Sequence, residues 1–175
     1  MRQVLQIILG GLPEHLSFCV DSVKSFAKKS NVSYLCIDNV EDDYIVREAI
    51  GPHQPSNVYL QLRTYSDLMR LKILSTQPET LYVDWDVYLY NDFVIPEEET
   101  FAFPPECVIY NGLNTDRYRN LYNDVKDTEW FGGQNIWTDL YPALKKDANV
   151  KYFDRELYRH FHECSHFSEK KNFND

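Results

Sequence analysis

Thr80-Leu81-Tyr82-Val83-Asp84-Trp85-Asp86-Val87-Tyr88-Leu89 is the stretch on which the reading of this chain turns. Its β-branched and aromatic residues predict a buried strand that runs straight into two aspartates and then resumes. The pleat of a strand directs Asp84 and Asp86 to one side and Trp85 to the other. Carboxylates rarely enter such apolar runs unless they are paired or bind a metal. Their oxygens suit Mg²⁺ or Mn²⁺, and Mg²⁺ is held by one or two carboxylates together with substrate phosphates. The expectation is a metal–diphosphate site at a strand end. As a bare string Asp-x-Asp is common, and two solvated turn carboxylates are the alternative.

Working outward, 175 residues predict one domain, and 43% hydrophobic with 15% aromatic content supplies a core and argues against disorder. The formal net charge of -9 leaves no basic face for a nucleic-acid backbone. Cys19, Cys36, Cys107 and Cys164 form no Cys-x-x-Cys pair, so they are expected to be small core residues in a reducing compartment. The amino-terminal apolar run Val4–Leu9 is too short for a secretory leader, and no run approaches the roughly 18 residues of a membrane span. A cytoplasmic protein without a transmembrane segment is expected.

Val4–Leu9 reads as a buried parallel strand ending at Gly10-Gly11, and Pro13 suits the first turn of a helix. Leu16, Cys19, Val20, Val23, Phe26 and Ala27 recur at helical spacing up to Lys28-Lys29, and Val32–Ile37 is a second strand. This opening is a βαβ unit of a helix-covered parallel sheet. Gly10-Gly11 fits neither phosphate-loop pattern; it is either a tight turn or a place where a flat base or ribose approaches the backbone. Residues 41–49 predict a short acidic helix and 51–57 a loop that contains His53.

Val58–Leu74 is helical and apolar nearly all round, which predicts a buried helix. Within it Asp67 and Arg70 lie three apart and share a face. They are either an ordinary intrahelical pair or a device in which Asp67 accepts sugar hydroxyls while Arg70 orients it or faces a phosphate.

Three stretches, Gln6-Ile7-Ile8-Leu9-Gly10-Gly11-x-Pro13, Tyr65-Ser66-Asp67-x-x-Arg70 and Leu81-Tyr82-Val83-Asp84-Trp85-Asp86, occur in that order. Together they resemble a glycosyltransferase family that holds the yeast initiating mannosyltransferases, bacterial capsular-polysaccharide synthesis proteins and the sugar-binding region of the large clostridial glucosylating toxins. The resemblance covers residues 3–112 and departs at Gln77-Pro78-Glu79-Thr80, where the family has a Gly-Gly turn. It implies an α/β fold of the glycosyltransferase-A type: a Rossmann-like domain over 1–167 with a mostly parallel sheet, flanking helices, a compact carboxy-terminal part and a polar tail at 168–175. It also implies a retaining hexosyltransferase that takes sugar from a nucleotide-diphosphate donor, UDP favoured over GDP, for an unknown carbohydrate or protein acceptor.

In that reading Asp86 binds Mn²⁺ or Mg²⁺ directly, and Asp84 contacts ribose or sugar hydroxyls and the metal. Asp67 and Arg70 hold the sugar and diphosphate, and Leu9-Gly10 meets the base. Asn111 resembles a residue on the acceptor side, although an Asn-Gly turn explains it equally. Gln134, after Gly132-Gly133, resembles a glutamine near the anomeric carbon; a helix cap is the alternative. His162 with Ser165, and after it His160, resembles the element that completes the metal sphere, against plain surface histidines. The departing phosphate oxygen takes the acceptor proton, so no separate base is required.

Among the remaining elements, Phe93–Ile95, Phe101–Phe103, Cys107–Tyr110 and Val150–Phe153 are expected as strands. Thr115–Val125 is expected as a helix burying Leu121, Tyr122 and Val125. Two other classes compete with the transferase: a non-catalytic nucleotide-sugar-binding or regulatory protein, and a metal-dependent phosphohydrolase using Asp84 and Asp86.

Overall fold

The computed structural model describes residues 2–38, 58–102, 107–125, 144 and 146–161, with backbone alone for 58–64. Strand β1 (Gln3–Ile7) is followed by a 3₁₀ turn (Glu14–Leu16) and helix α1 (Ser17–Lys29). Next come β2 (Ser33–Ile37), α2 (Val58–Thr76), β3 (Thr80–Val83) and β4 (Val87–Leu89). After β5 (Thr100–Phe101) and β6 (Val108–Tyr110) lie α3 (Thr115–Val125), β7 (Lys151–Tyr152), a second 3₁₀ turn (Arg155–Leu157) and β8 (Tyr158–His160).

Six strands form one sheet in the order β2-β1-β3-β6-β5-β7. The pairings β1–β2, β1–β3 and β5–β7 are parallel, whereas β3–β6 and β5–β6 are antiparallel. The mostly parallel α/β architecture is therefore as expected. A separate two-stranded ladder joins β4 and β8.

Strand alternation builds a core on each face. Leu5, Ile7, Tyr82 and Ile109 pack with Leu68, Met69, Leu71 and Leu74 of α2 and Tyr118 and Tyr122 of α3. Val4, Leu81, Val83 and Val108 pack on the other face with Val23, Phe26 and Ala27 of α1 and with Val87 and Leu89 of β4. The apolar stripe predicted for α1 is the buried one. In α3 the buried residues are Tyr118, Tyr122 and Val125; Leu121 packs half-buried, and Tyr118 joins the core because its hydroxyl reaches Glu99 at 2.8 Å. Cys19 and Cys107 lie in the core, and none of the three described cysteines is in a disulfide.

Phe93–Ile95 is not a strand: Phe93 N–H closes a turn on Tyr90 O at 3.0 Å, and Phe93 is held by aromatic contacts instead of a ladder. Before β3, where the resembling family has a Gly-Gly turn, Glu79 takes a φ of 56. That left-handed conformation is one glycine adopts readily, so the residue differs while the bend fits such a turn. The helix expected over 41–49, the loop with His53 and the tail at 168–175 lie outside the described residues. Among the described residues, no helix is long and apolar enough to cross a membrane.

Candidate active site

Because β1 and β3 run parallel, their carboxyl ends meet at one edge of the sheet, where α/β folds gather ligands. Asp84 and Asp86 leave β3 there. They are brought together by a turn and not by the expected pleat: the strand stops at Val83, and Val87 N–H donates to Asp84 O at 3.1 Å. Asp84 N–H is tied to Cys107 O at 2.8 Å, which fixes where the turn begins. Beyond the turn, β4 pairs with β8 so that Val87 lies opposite His160. The Phe161 N–H closes on Asp86 O at 3.0 Å.

That ladder completes a cluster. One ligand atom each from Asp84, Asp86 and His160 lies within 4.8 Å of the others, about the span of two oxygens on opposite sides of a divalent ion. His160 Nε2 is 3.4 Å from Asp86 Oδ1. Two carboxylates and an imidazole form a donor set that fits a divalent cation of the manganese type.

Charged groups of α2 pack against the Asp84 carboxylate. Arg70 Nη2 is 3.3 Å from Asp67 Oδ1 and 3.3 Å from Asp84 Oδ1, with Asp67 and Arg70 almost wholly buried. The guanidinium lies over the Tyr82 ring, 4.1 Å from its centroid, and the Tyr82 hydroxyl donates to Asp84 Oδ1. Burial pushes the Tyr82 hydroxyl well above its usual range, so it remains a donor. Burial also pushes the Asp84 carboxyl up to about 6, and Asp86 adds to the rise. Arg70, the Tyr82 hydroxyl and His160 oppose it. The Asp84 side chain keeps 19% of its exposure, so a ligand can reach it.

The structure brings Asp67, Arg70, Asp84 and Asp86 together as a group. Leu9-Gly10 follows β1 at the same sheet edge, with Leu9 half-buried and Gly10 exposed at a φ of 84. Asn111 is not brought there. It is wholly buried at the opposite end of β3, where Oδ1 accepts from Thr80 N at 2.8 Å and Nδ2 donates to Leu74 O at 2.9 Å and Gln77 O at 2.8 Å. Its amide joins α2 to the sheet instead of lining a pocket beside Asp84. Gln134 and His162 lie outside the described residues.

Sequence reasoning placed His160 second among the candidate ligands and overlooked Gln6 and Tyr34. Gln6, wholly buried in β1, accepts from the Tyr34 hydroxyl at 2.8 Å and donates weakly to Asp84 O at 3.4 Å. A glutamine inside the apolar run Val4–Leu9 was the available signal, because a buried amide needs partners.

No family model and no curated protein matches the sequence. Among solved structures, the chain is similar to a glycosyltransferase involved in the glycosylation of the major capsid of PBCV-1. Identity is 10%, with 91% of this chain and 95% of that chain covered at a TM-score of 0.52. It is also similar to the galactosyltransferase LgtC in complex with donor and acceptor sugar analogs, at 12% identity, 87% and 73% coverage and a TM-score of 0.46. A third is a Drosophila β-1,4-galactosyltransferase 7 mutant in complex with manganese, UDP-Gal and xylobiose, at 8% identity, 100% and 76% coverage and a TM-score of 0.46. At these identities the likeness is one of fold, and the first comparison carries it. The chain is a single α/β domain with the fold of a glycosyltransferase.

Proposed function

We propose that this protein is a metal-dependent retaining glycosyltransferase that moves a hexose from a nucleotide-diphosphate donor, UDP before GDP, to a carbohydrate or protein acceptor. The observation that carries the reading is the convergence of Asp84, Asp86 and His160 at the carboxyl end of the sheet on such a fold. Asp86 and His160 would hold Mn²⁺ or Mg²⁺, with Asp84 as the third ligand. The imidazole favours manganese, since magnesium prefers all-oxygen surroundings. A cation bound there neutralises charge that develops on the departing diphosphate.

The chain's own groups do the positioning. Arg70 sets the carboxylates of Asp67 and Asp84 side by side, an arrangement suited to accepting hydroxyls of the ribose or sugar. Glycine at position 10 leaves the backbone at the end of β1 open to a flat base. Gln134 stays in this proposal as the residue near the anomeric carbon, and His162 as a further candidate ligand.

The test is manganese-dependent release of UDP or GDP from a panel of nucleotide sugars. We expect release by the native chain and its loss in Asp86→Asn. Donor binding without release would favour the non-catalytic alternative. Hydrolysis of simple phosphate esters would favour a phosphohydrolase, and unchanged release by Asp86→Asn would refute the metal role.

A further inference from the structure

Away from the acid cluster, α1 and the strand after the Asp84–Val87 turn enclose a groove of about 310 Å³, at the lower end of the roughly 300–1,000 Å³ typical of ligand pockets. Phe18, Tyr88 and Tyr90 form its aromatic side, with ring centroids 6.0 Å apart for Phe18–Tyr88 and 5.3 Å for Tyr88–Tyr90. Phe18 is 39% and Tyr90 37% exposed. Phe18 and Tyr90 thus keep open ring surface along the groove. Asp21, Ser25 and Asn91 line the same groove and are exposed.

We infer that this groove binds a neutral oligosaccharide. A sugar ring has one face of C–H bonds and a rim of hydroxyls. The three rings suit the first, while Asp21, Ser25 and Asn91 suit the second. Other ligand chemistries fit less well. An anion would meet Asp21, and Lys29, the one cation among the described lining residues, already donates to Asn91 O at 2.9 Å. A peptide adding a strand needs open backbone donors, yet Leu89 N–H is taken by Ser22 Oγ at 3.0 Å. A lipid chain would bury the polar wall without partners.

One contact relates the groove's rim to the acid cluster. Phe18 packs edge-on against Phe161 at 5.5 Å, and Phe161 N–H bonds to Asp86 O. Along α1 the lining runs from Phe18 to Lys29. This binding does not depend on transfer from a nucleotide donor.

The experiment is ligand-observed saturation-transfer NMR with maltotriose, cellotriose, xylotriose and chitotriose, without nucleotide or metal. At least one trisaccharide should bind, with saturation concentrated on ring C–H protons. Tyr90→Ala and Phe18→Ala should each weaken binding roughly tenfold. Ser25→Trp, which fills the groove and removes no core group, should abolish it. An unchanged melting temperature in the three variants establishes that folding is intact. Absence of binding by all four sugars, or binding that survives all three variants, would overturn the inference. So would a dimer in light scattering that Tyr90→Ala converts to monomer, since the rings would then serve a second copy of the chain. Failure here leaves UDP release untouched, so the two readings fail separately.

Discussion

Arg70 Nη2 stands 3.3 Å from the Asp84 Oδ1 that also receives the Tyr82 hydroxyl. A helix buried under the sheet thus controls the first acid of the candidate metal site. With Asp67 on the same guanidinium nitrogen, loss of Arg70 leaves two carboxylates without their shared counter-charge. Arg70→Met is expected to cost about 3 kcal/mol of stability, the scale for breaking a buried pair on one side. It should also weaken manganese binding near neutral pH, because Asp84 then keeps its proton to a higher pH. Urea melts and manganese titration check both parts; stability within error of native would show that the pair is not coupled.

A cation bound as proposed would compete with the proton for Asp84. Burial holds its folded carboxyl at about 6, above the ordinary carboxylate value. Without metal, the group's contribution to stability is complete below the unfolded pKa and is lost as pH rises through about 6. A bound cation needs the ionised form, so its affinity moves the other way. The rise in melting temperature produced by manganese should therefore be small below pH 5 and grow through about pH 6. A rise constant from pH 4.5 to 7.5 would contradict this.

The β4–β8 register brings His160 to Asp84 and Asp86, and the proposed metal site takes it as a ligand. His160→Ala should weaken manganese binding at least tenfold, about 1.4 kcal/mol, and His162→Ala much less. Isothermal titration of the two variants decides between them. The reverse order would move the assignment to His162.

Asn111 separates architecture from chemistry. Asn111→Ala leaves Thr80 N, Leu74 O and Gln77 O without their amide partner. A loss of about 3 kcal/mol is expected, since a buried group that loses its partner costs about 1–3 kcal/mol before relaxation, while Gln77 O keeps the Thr80 hydroxyl at 3.0 Å. Manganese affinity should stay native at a temperature where the variant is folded. A selective fall in affinity would return Asn111 to the site.

Much of this was legible locally. The apolar stripe of α1, the span of α3 and the run into Asp84 depend on side chains three, four or two positions apart, and chain geometry alone places those together. The Asp67–Arg70 contact was visible for the same reason. The pleat expected to align Asp84 with Asp86 failed because sequence shows carboxylates entering an apolar run, not whether the strand survives them. Here the Val87 N–H turns back to Asp84 O and ends it. Phe93–Ile95 failed similarly, because its β-prone composition is satisfied by ring packing without a partner strand.

Residue order was enough for the βαβ opening, the buried α2 and the acids that follow β3, because hydrophobic periodicity and residue chemistry act over a few positions. Which distant groups join those acids depends on long-range packing. Tyr34 reaches Asp84 O through Gln6 across three strands, Arg70 rises from α2, and His160 arrives on β8. Strand pairing and helix docking set these meetings, and they depend on how whole elements bury their faces, a relation no local spacing encodes.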